Sequence, residues 1–177
     1  MKNVSGKKVI FLFVLYLIFA LLIFPALPQS EAGIPDIKYY YSSQQIYKII
    51  ANYSALERSR YALTAMTIDI LYPIVYSFFL TALSIYLIVK LKIRKRIFIR
   101  LCYISMAAAL FDFLENSSLT ILILNYPVKF HLLANFAGCF TAAKWTLIIA
   151  AILFILFLSL FMLFNKIKTL SIEKSVG

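Results

Sequence analysis

The chain has 177 residues, 63% of them hydrophobic, with only 14% charged and a mean hydropathy of +0.91. A soluble fold of this length is mostly surface and cannot bury so much apolar area, so lipid is the solvent that fits. Net charge is +11, but the basic residues flank apolar runs and share no exposed face, which argues against nucleic acid and makes the bilayer the partner.

The sequence predicts an all-α integral membrane protein, one transmembrane domain over residues 1–177. Four transmembrane helices form an antiparallel bundle, and a short amphipathic surface helix lies in the first extracytoplasmic loop. The first span covers residues 9–25 and stops at Pro25 and Pro28. Its basic start, with Lys2, Lys7 and Lys8, and the later Ser30-Glu31-Ala32 also fit a cleaved signal peptide, which would leave three spans.

An outer interfacial segment follows over residues 29–60. Ser42, three residues before Gln45, forms a capping-box pattern. Ile46, Ile49, Ile50 and Tyr53 then recur at helical spacing, so this helix is expected to lie on the outer membrane surface. Tyr39, Tyr40 and Tyr41 suit the headgroup layer. The functional alternative is a lid over an external opening. Asn52-Tyr53-Ser54 fits a glycosylation acceptor, without consequence in a bacterial chain, as this one is expected to be.

The second span covers residues 61–89. Asp69, Tyr72, Pro73 and Tyr76 stand at i, i+3, i+4 and i+7, on one helix face. Pro73 lacks the N–H that would bond the Asp69 carbonyl, so a kink is expected there, with that carbonyl unpaired on the same face as the Asp69 carboxylate. The loop that follows carries Lys90, Lys92, Arg94, Lys95, Arg96 and Arg100. With the basic N-terminus and the tail lysines Lys166, Lys168 and Lys174, it sets both termini on the cytoplasmic side of a multi-pass cell-membrane protein.

The third span covers residues 101–126 and places Asp112, Glu115 and Asn116 on one face. Each mid-helix carboxylate costs roughly 2.5–3.5 kcal/mol on insertion scales, so both must face protein. The fourth span covers residues 132–164. It holds Lys144, flanked by Gly138, Thr141 and Trp145. At ~1.5 Å per residue, Glu115 lies about 16 Å and Lys144 about 18 Å from the outer surface, Asp112 one turn deeper and Asp69 at about 12 Å. Lys144 is therefore expected to pair first with Glu115 and second with Asp112. Three carboxylates against one ammonium leave the charge count unbalanced.

Other chemistry is thin. His131 is the single histidine, and Cys102 and Cys139 stand apart, so no metal site is expected. No phosphate loop, nucleophile elbow or HExxH motif is present, and no cofactor is implied. A few helices with carboxylates facing an internal cavity resemble the sterol isomerase and sigma-2-like group of membrane proteins in architecture. No motif of that group lines up with residues here, and no residue roles carry over.

Three functions remain open. One is binding or transport of a small solute, cation or proton in a cavity lined by Asp69, Tyr72, Tyr76, Glu115 and Lys144, with a homodimer expected because one four-helix bundle is small for a transporter. Another is a membrane enzyme acting on a lipid or isoprenoid by acid–base chemistry through Asp112 or Glu115, favoured by a cavity that opens sideways. The last is a non-catalytic accessory or assembly protein, in which the polar cluster fixes helix register.

Overall fold

A computed structural model of the chain describes residues 4–27, 33 and 35–176. The cleavage pattern at Ser30-Glu31-Ala32 lies outside these residues, as do Lys2 and Pro28. The described residues form helices and no strand. Four stretches are long and apolar enough to cross a membrane: Gly6–Ala26, Ala55–Lys90, Arg96–Leu124 and His131–Lys168.

Helix α1 is Gly6–Ile18, capped by Ser5, whose hydroxyl accepts from the Lys8 N–H. It runs on through a π-helical turn, Phe19–Ile23, into a last short piece, Phe24–Ala26. Pro25 cannot donate a backbone hydrogen bond, and a wider turn is one way a helix absorbs that loss. The Phe24 N–H bonds the Phe19 carbonyl, five residues back. Residues five apart thereby share a face, and both rings meet Tyr72, at 6.1 Å from Phe19 and 4.8 Å from Phe24 between centroids.

Helix α2, Ser43–Asn52, starts with the capping box that Ser42 and Gln45 predict. Its apolar face is turned to protein, where the sequence expects lipid. Ile46 and Ile50 are fully enclosed, and Tyr47, Ile49 and Tyr53 are buried, against Leu119, Leu122, Ile123, Ala134 and Ala137. The apolar face finds protein rather than lipid because polar pins hold the helix there. The Ser43 N–H donates to Asn135 Oδ1 at 2.9 Å, Ser43 Oγ meets His131 Nδ1 at 2.8 Å, and Tyr47 accepts from the Phe130 N–H at 2.6 Å. Enclosing each isoleucine stabilises the contact by about 1.5–3 kcal/mol.

Helix α3, Ala55–Met66, opens on a second capping box, Ser54 with Glu57, and so extends the second span upstream of Tyr61. Helix α4, Ile68–Lys90, follows directly. The break between them is at Thr67, with φ −123°, ψ −78°. The interruption thus lies upstream of Pro73, which sits inside α4. Helix α5, Arg96–Leu101, and helix α6, Ile104–Leu124, make up the third span, with Cys102 and Tyr103 between them. Helix α7, His131–Val176, continues past the expected end at Phe164.

Helix α1 packs along α4, α4 on α6, and α6 on α7, while α4 also meets α7. Leu122 packs near Ala134, Ala108 near Ile148, and Cys102 near Ile155, which makes α6 and α7 antiparallel neighbours. Among the described residues α1 and α7 make no extensive contact with each other. The space between them is where the candidate site lies.

Candidate functional site

Helix α6 carries Asp112, Glu115 and Asn116 inward, all buried. Glu115 is completely enclosed. Its Oε2 lies 2.7 Å from Lys144 Nζ, and its Oε1 accepts from Thr141 Oγ1 at 2.5 Å and from the Tyr41 hydroxyl at 3.3 Å. Lys144 and Thr141 reach it together because they stand three apart on one face of α7. Tyr41 corrects the sequence expectation: it is fully buried and reaches into the bundle, not the headgroup layer. Its backbone crosses α7 at Gly138, where any Cβ would overlap the Tyr41 carbonyl oxygen. Glycine is required there by the close approach.

Asp112 lies one turn further along the same face. Its Oδ2 accepts from the Tyr76 hydroxyl at 3.1 Å. Its Oδ1 accepts from Asn116 Nδ2 at 3.3 Å and from Lys144 Nζ at 3.5 Å. Lys144 thus pairs with Glu115 at the shorter distance and with Asp112 at the longer. Its ammonium also lies 5.6 Å from the Trp145 ring centre.

Asn116 resolves the problem that Pro73 creates. The Asp69 carbonyl, deprived of the N–H four residues on, accepts from Asn116 Nδ2 at 3.1 Å. This side-chain bond ties α4 to α6 at the level of the Asp69 carboxylate, as a neighbouring helix can do for a proline-freed carbonyl. The other amide atom, Asn116 Oδ1, is buried and accepts no hydrogen bond from any described residue.

These groups border a cavity of about 510 Å³. Asp69, Asp112, Asn116 and Lys144 form its polar wall, with Tyr72 and Tyr76 beside them. Glu115 does not line it, in contrast to the sequence expectation, because Tyr41 and Thr141 enclose it on the far side of Lys144. The remaining wall is apolar: Tyr16 from α1, Phe24 from the short piece beyond it, Ile37 from the segment before α2, Phe79 and Leu80 from α4, Ile148 and Ile152 from α7. The cavity's lining runs from the exposed Ile37, in the segment before α2, to the exposed Ile152 on α7. Tyr16, Phe24 and Trp145 were not among the expected site residues. Pro25 near the end of α1 was the one sequence signal that its aromatic face had been re-aimed.

Below this level Thr81 Oγ1, Ser105 Oγ and the Ser77 carbonyl form a polar ladder between α4 and α6, away from the cavity. No group of three His, Cys, Asp or Glu side chains suited to a metal occurs among the described residues. Chemically, the wall can accept hydrogen bonds and hold positive charge, and Tyr76, Asp112, Lys144 and, behind the wall, Glu115 are in successive contact. No protein-family model matches the chain, and no curated protein or solved structure matches it either.

Proposed function

We propose that the chain binds a small cationic solute inside the membrane, for retention or transport, in the cavity between α1 and α7. The observation that supports this reading is the acidic wall: Asp69 and Asp112 both line the cavity, and Lys144 beside them is engaged with Glu115 at 2.7 Å and Asp112 at 3.5 Å. A wall with two carboxylates attracts positive charge, the more so at membrane depth, where water screens little. The rings of Tyr72 and Trp145 on the same wall add cation–π attraction.

The test uses purified protein in phosphatidylcholine nanodiscs, with ethylammonium as the cation and acetate as the anion. Ethylammonium is expected to raise the unfolding temperature saturably, since a ligand at a hundred times its Kd stabilises by about 2.7 kcal/mol. Asp112→Asn should abolish the rise. Stabilisation by acetate, with none by ethylammonium, overturns the reading.

We further propose that the chain sits in the cell membrane with both termini cytoplasmic. In support, the start of α1 and the basic end of α4 lie together: a Cβ at Gly6 would be 3.7 Å from Tyr86, whose ring lies 5.6 Å from the Lys90 ammonium. All the basic-rich segments then fall at one end of the bundle, as retention of positive charge inside requires. With Cys102 and Cys139 changed to alanine, an impermeant maleimide on intact cells should label Tyr40→Cys and spare Arg94→Cys. The reverse pattern inverts the topology.

A further inference from the structure

We infer that the turn between α4 and α5 binds the headgroup of an anionic phospholipid, held by Lys92, Arg96 and Arg100. None of these residues lines the cavity, and the site stands whether or not the cavity takes a cation.

The end of the bundle that carries this turn has no acid to match its bases. No carboxylate occurs over residues 6–27, 70–111 or 116–172. The start of α1 meets the end of α4, since Gly6 lies against Tyr86, and α5 packs on α7 through Phe98. The lysines and arginines of this end are all exposed, and none forms an ion pair with another described residue. Like charges so gathered repel one another, and an anion from outside offsets that repulsion.

The source of the anion follows from what flanks the cations. Between Arg96 and Arg100, Ile97 is 56% exposed. Val89, next to Lys90, and Phe164, two residues before Lys166, are exposed as well. Exposed apolar side chains on spanning helices belong against acyl chains, so the adjoining cations stand at the headgroup layer. Lipid phosphate is the anion found there.

Lys92 narrows this to one place. Where α4 ends, the Lys92 N–H bonds the Val89 carbonyl and the Ile93 N–H bonds the Ile88 carbonyl, both at 3.1 Å. Closing a helix in this way sets one residue in left-handed backbone, and that residue is ordinarily glycine. Here it is Lys92, at φ 55°. A side chain in that conformation is strained against its own backbone, and glycine would relieve the strain. Ile93 packs back onto Leu87 and Ile88, while Lys92 stays exposed. Arg96 and Arg100 follow one turn apart on one face of α5. Phe98, half a turn round, packs on Phe154 and Phe157, so the arginine face is turned outward. Two like charges at this spacing are unfavourable in water. A phosphate shared between them reverses that, since each guanidinium bonds it through paired N–H donors.

The test titrates phosphatidylglycerol into phosphatidylcholine nanodiscs carrying the full chain and follows the unfolding temperature. The temperature is expected to rise saturably, and to rise less at high salt. Arg96→Gln with Arg100→Gln should weaken phosphatidylglycerol binding about thirtyfold, each cation at an anionic surface being worth roughly a factor of five. Lys92→Gly should weaken it about fivefold and yet raise the unfolding temperature in phosphatidylcholine alone, because the strained turn relaxes. A purely structural turn would show the second effect without the first. Lys166→Gln with Lys168→Gln removes as much charge elsewhere and should change binding little. Equal losses from the two double variants mean a diffuse field and overturn the site. So does a Lys92→Gly protein that binds phosphatidylglycerol like the parent, or an unfolding temperature indifferent to phosphatidylglycerol. Inorganic phosphate or an oligonucleotide that produces the same rise in phosphatidylcholine nanodiscs overturns lipid as the source.

Discussion

Glu115 and Asp112 are the same chemistry one turn apart on the same face of α6, and their surroundings separate them. Glu115 is fully enclosed, held by Lys144, Thr141 and Tyr41, and has no part in the cavity wall. Asp112 shares Lys144 at a longer distance and stands on the wall. The difference is made by helices that neither residue belongs to. The segment leading into α2 closes over Glu115, whereas α1 stands away from α7 and leaves Asp112 beside open space. Depth of burial therefore does not decide which carboxylate faces the cavity: the fully enclosed Glu115 is turned away from it, and Asp112, which accepts hydrogen bonds on both oxygens, lines it.

The strongest way to break this comparison is to remove the shared cation. Lys144→Met leaves the enclosed Glu115 carboxylate without its ammonium, and breaking one side of such a pair typically costs about 3–5 kcal/mol. Adding Glu115→Gln should recover much of that loss, in unfolding experiments on the detergent-solubilised protein. Additive losses in the cycle would mean that the two groups are not coupled. A smaller perturbation opens the closed end: Gly138→Ala drives a methyl group into the Tyr41 carbonyl, an overpacking of about 1–3 kcal/mol. Hydrogen exchange should then rise across α2 and leave α4 unchanged. Smallest in stability is Asp112→Asn, which keeps an oxygen for Lys144 and Asn116 and turns its amide N–H to the Tyr76 hydroxyl oxygen, and should stay within about 1 kcal/mol of the parent. It should nonetheless abolish the ethylammonium effect. If Asp112→Asn unfolds the protein as Lys144→Met does, the two carboxylates are equivalent and the division fails.

Much of this bundle was legible in the sequence. Hydropathy located the four spans, and helical spacing put Asp112, Glu115 and Asn116 on one face and Asp69 with Tyr76 on another. Depth counting from the short turn before α7 brought Lys144 level with Glu115. The proline rule identified the Asp69 carbonyl as needing an outside donor, although not that Asn116 supplies it. What spacing cannot give is the rotation of one helix face relative to its neighbours. Periodicity read Ile46, Ile49 and Ile50 correctly as an apolar stripe, but lipid and protein satisfy such a stripe equally well. The choice was made by Gly138, Asn135 and His131, far away in the chain. For the same reason Glu115 was expected on the cavity wall and Tyr41 in the headgroups. The Ser54–Glu57 box was present to be read, but the long apolar run after Tyr61 drew the boundary too late.

The Lys144–Glu115 pair also bears on how the chain enters a membrane as it is made. Helix α6 presented alone carries two carboxylates, together unfavourable by about 5–7 kcal/mol on insertion scales. Its apolar residues return only about 0.3–0.6 kcal/mol each, so α6 is close to indifferent between lipid and water. Helix α7 is far more apolar and follows after a short turn. Once Lys144 has emerged from the ribosome, the two charges can neutralise each other before either meets hydrocarbon. The third and fourth spans are thus expected to enter as one hairpin, and a chain halted before Lys144 to leave α6 poised at the translocon.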